Sequence, residues 1–416
     1  MAVSNSRVPA AIALVGSLLG VLFATYSTLD YANHLDRRLH DIHCSIIPGA
    51  PVTDAGDACR AAMYSPYSAI LKEQFWGGVP ISLFAQGAFA FFVAFSLYLL
   101  LAGTKASKQA LQFFAALGVT PLLVSILMFT LSLLKVGSVC KTCAGIYTAS
   151  ALLALGALWN LKNLRPPPGF GGGDSATAPP NLQQAAERAS VSLLHPVAWL
   201  LALGVATAIP ARVYASSLPD HRPFLSNCGA LKKVKEPRSL LQLPTTSPVR
   251  QATLFEDPLC PTCRAFHHRM LAEKLFDRLK PTLVLFPLDS ECNWMLDEPL
   301  HPGACIVSRA VLCGAENARA VLEWSYDQQA ELTEAGKKGP AALEALIAAR
   351  FGDALVQCAK SKETLRKLNE HLHYAVDNGI AISTPQMYLD GKRFCDEDTD
   401  IGLRYTMSQL APEVVQ

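Results

Sequence analysis

Five stretches of this chain, residues 8–29, 79–103, 111–134, 140–161 and 194–214, are too long and too apolar to fold as ordinary surface elements. A helix crossing a bilayer needs roughly 20 mostly apolar residues, and only a helix or a closed barrel satisfies its backbone polar groups there. The sequence therefore predicts membrane-spanning helices. The composition agrees, with 51% hydrophobic and 17% charged residues where a soluble domain carries about 25% charged. At 416 residues two or more domains are expected. The net charge of +2, with no long basic run and no Gly-rich phosphate loop, gives nothing for nucleic acid to bind. The first stretch has an alternative as a secretory signal. A single preceding Arg7 and the lack of a small-x-small cleavage site argue for a retained span. In the fifth, Pro196 and Pro210 are expected near the ends, where a helix tolerates proline.

Basic residues favour the cytoplasmic side of short loops. Arg7, then Lys105 and Lys108, then Lys162 and Arg165 fall on one side if the first four spans alternate, which makes that side cytoplasmic. Arg37, Arg38 and Arg60 lie in the opposite loop, but Asp36, Asp41, Asp54 and Asp57 accompany them. The loop over about 30–78, the turn before Cys140 and everything after the fifth span are then outside. All twelve cysteines fall outside or at outer helix ends, where disulfides persist. Residues 165–181, with Pro166, Pro167, Pro168, Gly171, Gly172 and Gly173, read as a flexible linker. The expected domains are a four-span bundle over 1–164, a linker over 165–193, a fifth span over 194–215 and a soluble domain over 216–416.

From about Arg250 the pattern is that of a soluble α/β domain. A short apolar strand over 252–255 leads into Cys260-Pro261-Thr262-Cys263 and a helical stretch. A cysteine at a helix N-terminus meets unpaired N–H groups and the positive end of the dipole, which stabilise its thiolate, and Pro261 suits the first turn. Zinc would need a second close ligand pair. His267 and His268 follow, but on this helix they are expected to be exposed. Ile382-Ser383-Thr384-Pro385 precedes a second strand over 386–389 and the turn signal Asp390-Gly391. This arrangement resembles the thioredoxin superfamily, and the helical insertion between its halves makes it DsbA-like. The resemblance implies Cys260 as nucleophile, Cys263 as resolving thiol, and Thr384 and Pro385 as the substrate-strand clamp, with Pro385 cis. Of the other cysteines here, Cys292 with Cys305 and Cys358 with Cys395 are candidate pairs, and Cys228 and Cys313 are expected to be unpaired. Spacing leaves fifteen full connectivities open.

In the membrane half, Cys140-Lys141-Thr142-Cys143 opens the fourth span, and Cys44 and Cys59 lie in the outer loop. A Cys-x-x-Cys disulfide closes too short a loop to be an effective staple, so redox work is the better reading. Cys44, Cys59, Ser65, 76–80 and 140–147 together resemble the vitamin K epoxide reductase family across about 8–161. Fusion to a thioredoxin-like domain through a fifth span resembles its bacterial members. The resemblance implies that Cys143 faces a quinone, Cys140 exchanges with Cys44 and Cys59, Ser65 hydrogen-bonds a quinone oxygen, and Tyr147 lines the same pocket. The 44–59 stretch is longer than the family's and carries Pro48 and Pro51, which departs from the pattern most at Cys44.

The expected fold is thus an α-helical membrane bundle, four spans plus a fifth linking span, with a C-terminal α/β thioredoxin-like domain. The expected activity is that of a quinone-linked thiol–disulfide oxidoreductase in a bacterial inner membrane. It would act as a monomer on secreted or periplasmic thiol proteins, with ubiquinone or menaquinone as acceptor and no metal. Two alternatives stand beside it. One is a membrane-anchored assembly protein whose cysteines are all structural. The other is an enzyme that carries reducing equivalents outward.

Overall fold

The computed structural model describes residues 7–35, 62–63, 65–136, 140–162, 194–225, 228–233, 237, 239–399 and 401–416. It divides into two units, one of residues 1–70 and 79–217, the other of residues 71–78 and 218–416. The stretch holding Cys44 and Cys59, and the Pro/Gly-rich linker, lie outside the described residues.

The first unit is helical. Its helices are α1 (Arg7–Leu35), α2 (Ile81–Ala102), α3 (Lys108–Gly118), α4 (Thr120–Leu131), α5 (Lys141–Lys162) and α6 (Leu194–Ser217), and two short strands, β1 (Ala69–Ile70) and β2 (Val79–Pro80), pair antiparallel. Five segments are long and apolar enough to span a membrane: Arg7–Ala32, Ile81–Ala102, Lys108–Leu134, Lys141–Asn160 and Leu194–Ser217. The third is broken at Thr120-Pro121, where the proline begins a new helix. Pro210 is inside α6 rather than near its end, because that helix continues to Ser217.

With lipid as solvent, helices gain little from apolarity itself and associate through close packing and hydrogen bonds. Helix α1 runs antiparallel against α5 with glycines at the closest approach. A Cβ on Gly16 would lie 2.7 Å from the Leu153 nitrogen, and one on Gly156 2.6 Å from the Pro9 carbonyl oxygen. Gln86 Nε2 donates to Thr25 Oγ1 at 2.8 Å, Thr28 and Ser82 share a 2.9 Å contact, and Ser125 Oγ donates to Ser150 Oγ at 2.9 Å. Phe89, Phe92, Phe95, Phe114 and Leu153 fill the centre, and Trp199 of α6 packs edge-on to Phe95 at 5.4 Å.

The second unit is built on a five-stranded sheet ordered β3 (Leu241–Gln242), β5 (Leu279–Leu285), β4 (Arg250–Glu256), β6 (Gln386–Leu389) and β7 (Lys392–Arg393). Strands β4 and β5 are parallel, Arg250 opposite Leu279 through Glu256 opposite Leu285. Helix α7 (Pro261–Ala272) follows β4 and supplies the crossover that parallel strands require. Antiparallel β6 then lies against the other side of β4 and turns into β7 through Asp390 and Gly391, both at positive φ. Alternation along the central strands feeds two cores. Leu254, Leu283 and Met387 join Phe266 and Met270 of α7 on one face. Phe255, Val284 and Tyr388 join Leu372 and Tyr374 on the other. Burying a Phe of this kind is worth about 1.5–3 kcal/mol.

Between β5 and β6 lie α8 (Ala304–Cys313), α9 (Ala318–Asp327), α10 (Gln329–Lys338), α11 (Pro340–Phe351), α12 (Asp353–Lys360) and α13 (Lys362–Asn378); α14 (Leu403–Leu410) and α15 (Pro412–Val415) close the chain. This is the expected helical insertion in a thioredoxin-like fold. His371 of α13 pins it to the sheet, accepting from the Leu285 N–H and contacting the Ser239 carbonyl, each at 2.9 Å. Cys292 pairs with Cys305 as expected. The pairing of Cys358 with Cys395 is not formed, and neither Cys228 nor Cys313 is unpaired. Cys313 bonds Cys358 and Cys228 bonds Cys395, because α8 packs directly on α12 and the 228–231 segment runs along β7.

Candidate functional site

Each unit carries one Cys-x-Thr-Cys at the start of a helix. In the second unit Cys260 is the N-cap of α7, and its carbonyl accepts from the Arg264 N–H at 3.1 Å. Cys263 lies one turn in and is fully buried. Cys260 Sγ is 2.8 Å from Thr262 Oγ1, while the Thr262 hydroxyl also reaches the Thr384 carbonyl at 3.0 Å. A hydroxyl has one proton to give. It can serve the carbonyl when Cys260 is a thiol and the sulfur when Cys260 is a thiolate. A hydrogen bond from Cys263, followed by that from Thr262, outweighs burial and lowers the Cys260 thiol to about 6. Burial, then the Cys260 sulfur beside it, holds Cys263 well above the ordinary thiol range. One sulfur is therefore a ready nucleophile near neutral pH and the other is a protected thiol.

The Thr384–Pro385 peptide is cis, and the Thr384 carbonyl lies 3.5 Å from Cys260 Sγ. Loop and thiol meet because β6 is hydrogen-bonded beside β4, whose end leads into Cys260.

Three further groups, Asp257, His301 and Glu256, were not singled out in the sequence. Asp257, fully buried, accepts from the N–H groups of Leu259 and Leu288 at 2.8 Å each and contacts His301 Nδ1 at 2.7 Å. Burial opposes charge on His301, but Asp257 and then the Cys260 thiolate raise its pKa. Glu256, the last residue of β4, is fully buried; Tyr326 donates to its Oε2 at 2.9 Å, while its Oε1 has no hydrogen-bond partner among the described residues. His267 is the correction here. It is completely buried, 3.7 Å from Glu256 Oε2 and 3.6 Å from Glu323 Oε1, because α9 covers that face of α7 with Glu323 and Tyr326. Burial works against the imidazolium, but the two carboxylates raise it to about 9. Cys263, Glu256, His267 and the partly exposed Glu323 thus form a line of titratable groups leading from the buried sulfur toward water. A helical repeat from Cys263 to His267, four residues on, was the available signal.

In the first unit Cys140 stands immediately before α5, and its carbonyl accepts from the Ala144 N–H at 3.0 Å. Its sulfur lies 3.0 Å from Thr142 Oγ1. Cys140 and Cys143 open onto a cavity of about 450 Å³ whose lining also includes Ser65, Tyr147, Asp30 and Pro80, with apolar walls from Phe84, Phe89, Met128 and Ile146. The structure thus brings together four of the residues singled out in the sequence, Ser65, Cys140, Cys143 and Tyr147, and adds Asp30. Such a volume suits a small organic ligand. The donor set fits a quinone: flat apolar walls for a ring, and the hydroxyls of Ser65 and Tyr147 for its oxygens. Among the described residues no group of three or more His, Cys, Asp or Glu is arranged to hold a metal ion.

Residues 11–158 match the family described as Vitamin K epoxide reductase family. Over that stretch the chain is similar to this family. The matched stretch takes in most of the helical unit that contains the cavity. Among solved structures, the chain is similar to the oxidoreductase DsbA of Xylella fastidiosa, with 19% identity, 42% of this chain and 92% of that one covered, and a TM-score of 0.31. It is also similar to MdbA, a thiol-disulfide oxidoreductase of Corynebacterium matruchotii, with 16% identity, coverage of 41% and 90%, and a TM-score of 0.25. Proteus mirabilis ScsC in a transitional conformation gives 14% identity, coverage of 56% and 98%, and a TM-score of 0.25. No curated protein matches the chain. Family, paired thiols and helix-start geometry together describe a membrane-embedded thiol–disulfide oxidoreductase.

Proposed function

We propose that the protein is a quinone-linked thiol oxidase that makes disulfides in proteins outside the cytoplasm. The supporting observation is that Cys143, Cys140, Ser65 and Tyr147 line one apolar cavity, in a chain whose other dithiol offers Cys260 as a low-pKa nucleophile. A reduced secreted or periplasmic protein attacks the Cys260–Cys263 disulfide and leaves oxidised. The resulting dithiol reduces Cys44–Cys59, and that pair reduces Cys140–Cys143. Each transfer is thiolate attack through a mixed disulfide. Cys143 faces the quinone, while Ser65 and Tyr147 orient it by hydrogen bonds. Ubiquinone or menaquinone, when bound, supplies the acceptor for two electrons and two protons. Thr384 and Pro385 present backbone to the client strand beside Cys260. Covalent linkage keeps the soluble dithiol at high local concentration near its acceptor, so a monomer suffices. The chain sits in a bacterial inner membrane with residues 216–416 outside the cytoplasm. Outward delivery of reducing equivalents would call for a cysteine pair on the cytoplasmic side, and this topology has none.

The full-length protein in nanodiscs, given reduced unfolded ribonuclease and a short-chain ubiquinone or menadione, should form quinol in step with client disulfides. Cys143→Ala should stop quinol formation. Client oxidation that proceeds equally without quinone would refute the reading.

A further inference from the structure

Asp30 lies in the last turn of the first spanning segment, Arg7–Ala32. It is 7% exposed, and its Oδ2 has no hydrogen-bond partner among the described residues. It is the one carboxylate on the described lining of the cavity, and no Lys, Arg or His joins it there. The other titratable groups facing the cavity are Tyr31, Tyr67, Tyr147, Cys140 and Cys143. An ionisable side chain in a spanning segment is costly and is retained mostly where it works on a pathway. Burying a polar group without a partner has its own cost. The antiparallel packing of α1 on α5, with Gly145 against Phe23 and Gly16 against Leu153, brings the end of α1 level with the start of α5. Carboxylate and thiols therefore share one end of the cavity.

Resting on the function proposed above, the chemistry at that end is a two-electron, two-proton exchange. Oxidation of the Cys140–Cys143 dithiol breaks two S–H bonds and forms one S–S bond. The two electrons pass to the quinone, and the two protons must reach its two oxygens as it becomes quinol. The walls are apolar, and none of the described lining groups is a cation able to stabilise an anion left behind. We propose that Asp30 is the proton carrier of this cavity, taking the two protons of the Cys140–Cys143 pair one at a time as carboxylate and delivering each, as carboxylic acid, to a quinone oxygen. A general acid or base placed in this way contributes about 10²–10⁴-fold to rate.

The test compares full-length wild type, Asp30→Asn and Asp30→Glu in nanodiscs, all pre-reduced. Single-turnover formation of quinol from a short-chain ubiquinone is followed across pH, and infrared difference spectra of dithiol oxidation are recorded without quinone. Asp30→Asn should be slower by about 10²-fold or more, with loss of the pH dependence, and Asp30→Glu should recover most of the rate. The protonated-carboxyl band that changes on dithiol oxidation should be present in wild type and absent in Asp30→Asn. An Asn variant within about twofold of an active wild type, or an unchanged infrared band, overturns the assignment of Asp30 and leaves the relay standing. A wild type inert toward quinone overturns both.

Discussion

The two cysteine pairs begin alike and end differently. Both are Cys-x-Thr-Cys with the first sulfur at a helix start and a threonine hydroxyl 2.8–3.0 Å from it. Around Cys260 the fold gathers a buried polar shell of Asp257, His301, Glu256 and His267, and a backbone carbonyl from the Thr384 loop. Around Cys140 and Cys143 it gathers aromatic and aliphatic walls with a few hydroxyls and one carboxylate. The local turn makes a reactive sulfur in either place, and the surroundings select what that sulfur meets. A polypeptide strand suits the first setting and a lipophilic ring the second.

The largest effects should come from breaking one pair and sparing the other. Cys260→Ala should lower client oxidation by at least about 10³-fold, as loss of a covalent nucleophile does. A small dithiol able to enter the membrane cavity should still drive quinol formation in that variant. Cys143→Ala should show the converse, with client thiols still exchanging once at Cys260. Equal loss of both activities in both variants, measured by stopped-flow, would mean that the pairs are not separable stations.

Two buried histidines should give the second unit a stability maximum along the pH axis. His267 is raised to about 9 in the folded chain. Its stabilisation is therefore complete below about 6.5, its unfolded value, and is lost as pH rises through 9. His371 is lowered to about 4 by burial, so its contribution is present above about 6.5 and is lost as pH falls toward 4. Each slope is at most about 1.4 kcal/mol per pH unit for one proton. Denaturant unfolding of the second unit, followed from pH 4 to 10, should peak near neutrality. His267→Gln should flatten the alkaline limb alone.

Replacing Thr262 by Val should raise the thiol midpoint of Cys260 above about 6 and slow its alkylation by up to about tenfold at pH 6. Thr142→Val should be compared at Cys140. Comparable slowing at both would mark the threonine as a shared device, and an effect at Cys260 alone would break the likeness.

The smallest effect concerns two disulfides inside the second unit. The Cys313–Cys358 bond spans 45 residues and Cys292–Cys305 spans 13. Loop entropy makes loss of the longer one costlier by about 1 kcal/mol, readable as a difference in denaturant midpoint between the two Ala-pair variants.

Much of this molecule was legible in its sequence. Spans need only length and apolarity, and both Cys-x-x-Cys pairs, Thr384-Pro385 and the Asp390-Gly391 turn are local signals. The buried shell was not legible, because His267 is polar on a helix whose buried face is decided by α9, far along the chain. Asp30 escaped notice because a carboxylate near a span's end reads as an interfacial charge until the cavity is seen. The disulfides were half right for a related reason. Cys292–Cys305 is a short-range pair, whereas Cys313–Cys358 depends on how two inserted helices stack.

The Cys228–Cys395 bond has a consequence for assembly. Within the second unit synthesis delivers Cys228 first and Cys395 last, with six cysteines emerging between them. An oxidant acting on the nascent chain would meet Cys228 with Cys260 as its nearest downstream thiol. That union would disable the nucleophile before the domain exists. The enclosing bond can close only once Cys395 has emerged, when all six inner thiols have already been exposed to mispairing. Maturation of this chain thus calls for thiol–disulfide exchange that leaves Cys260 and Cys263 to each other while the outer bond forms around them.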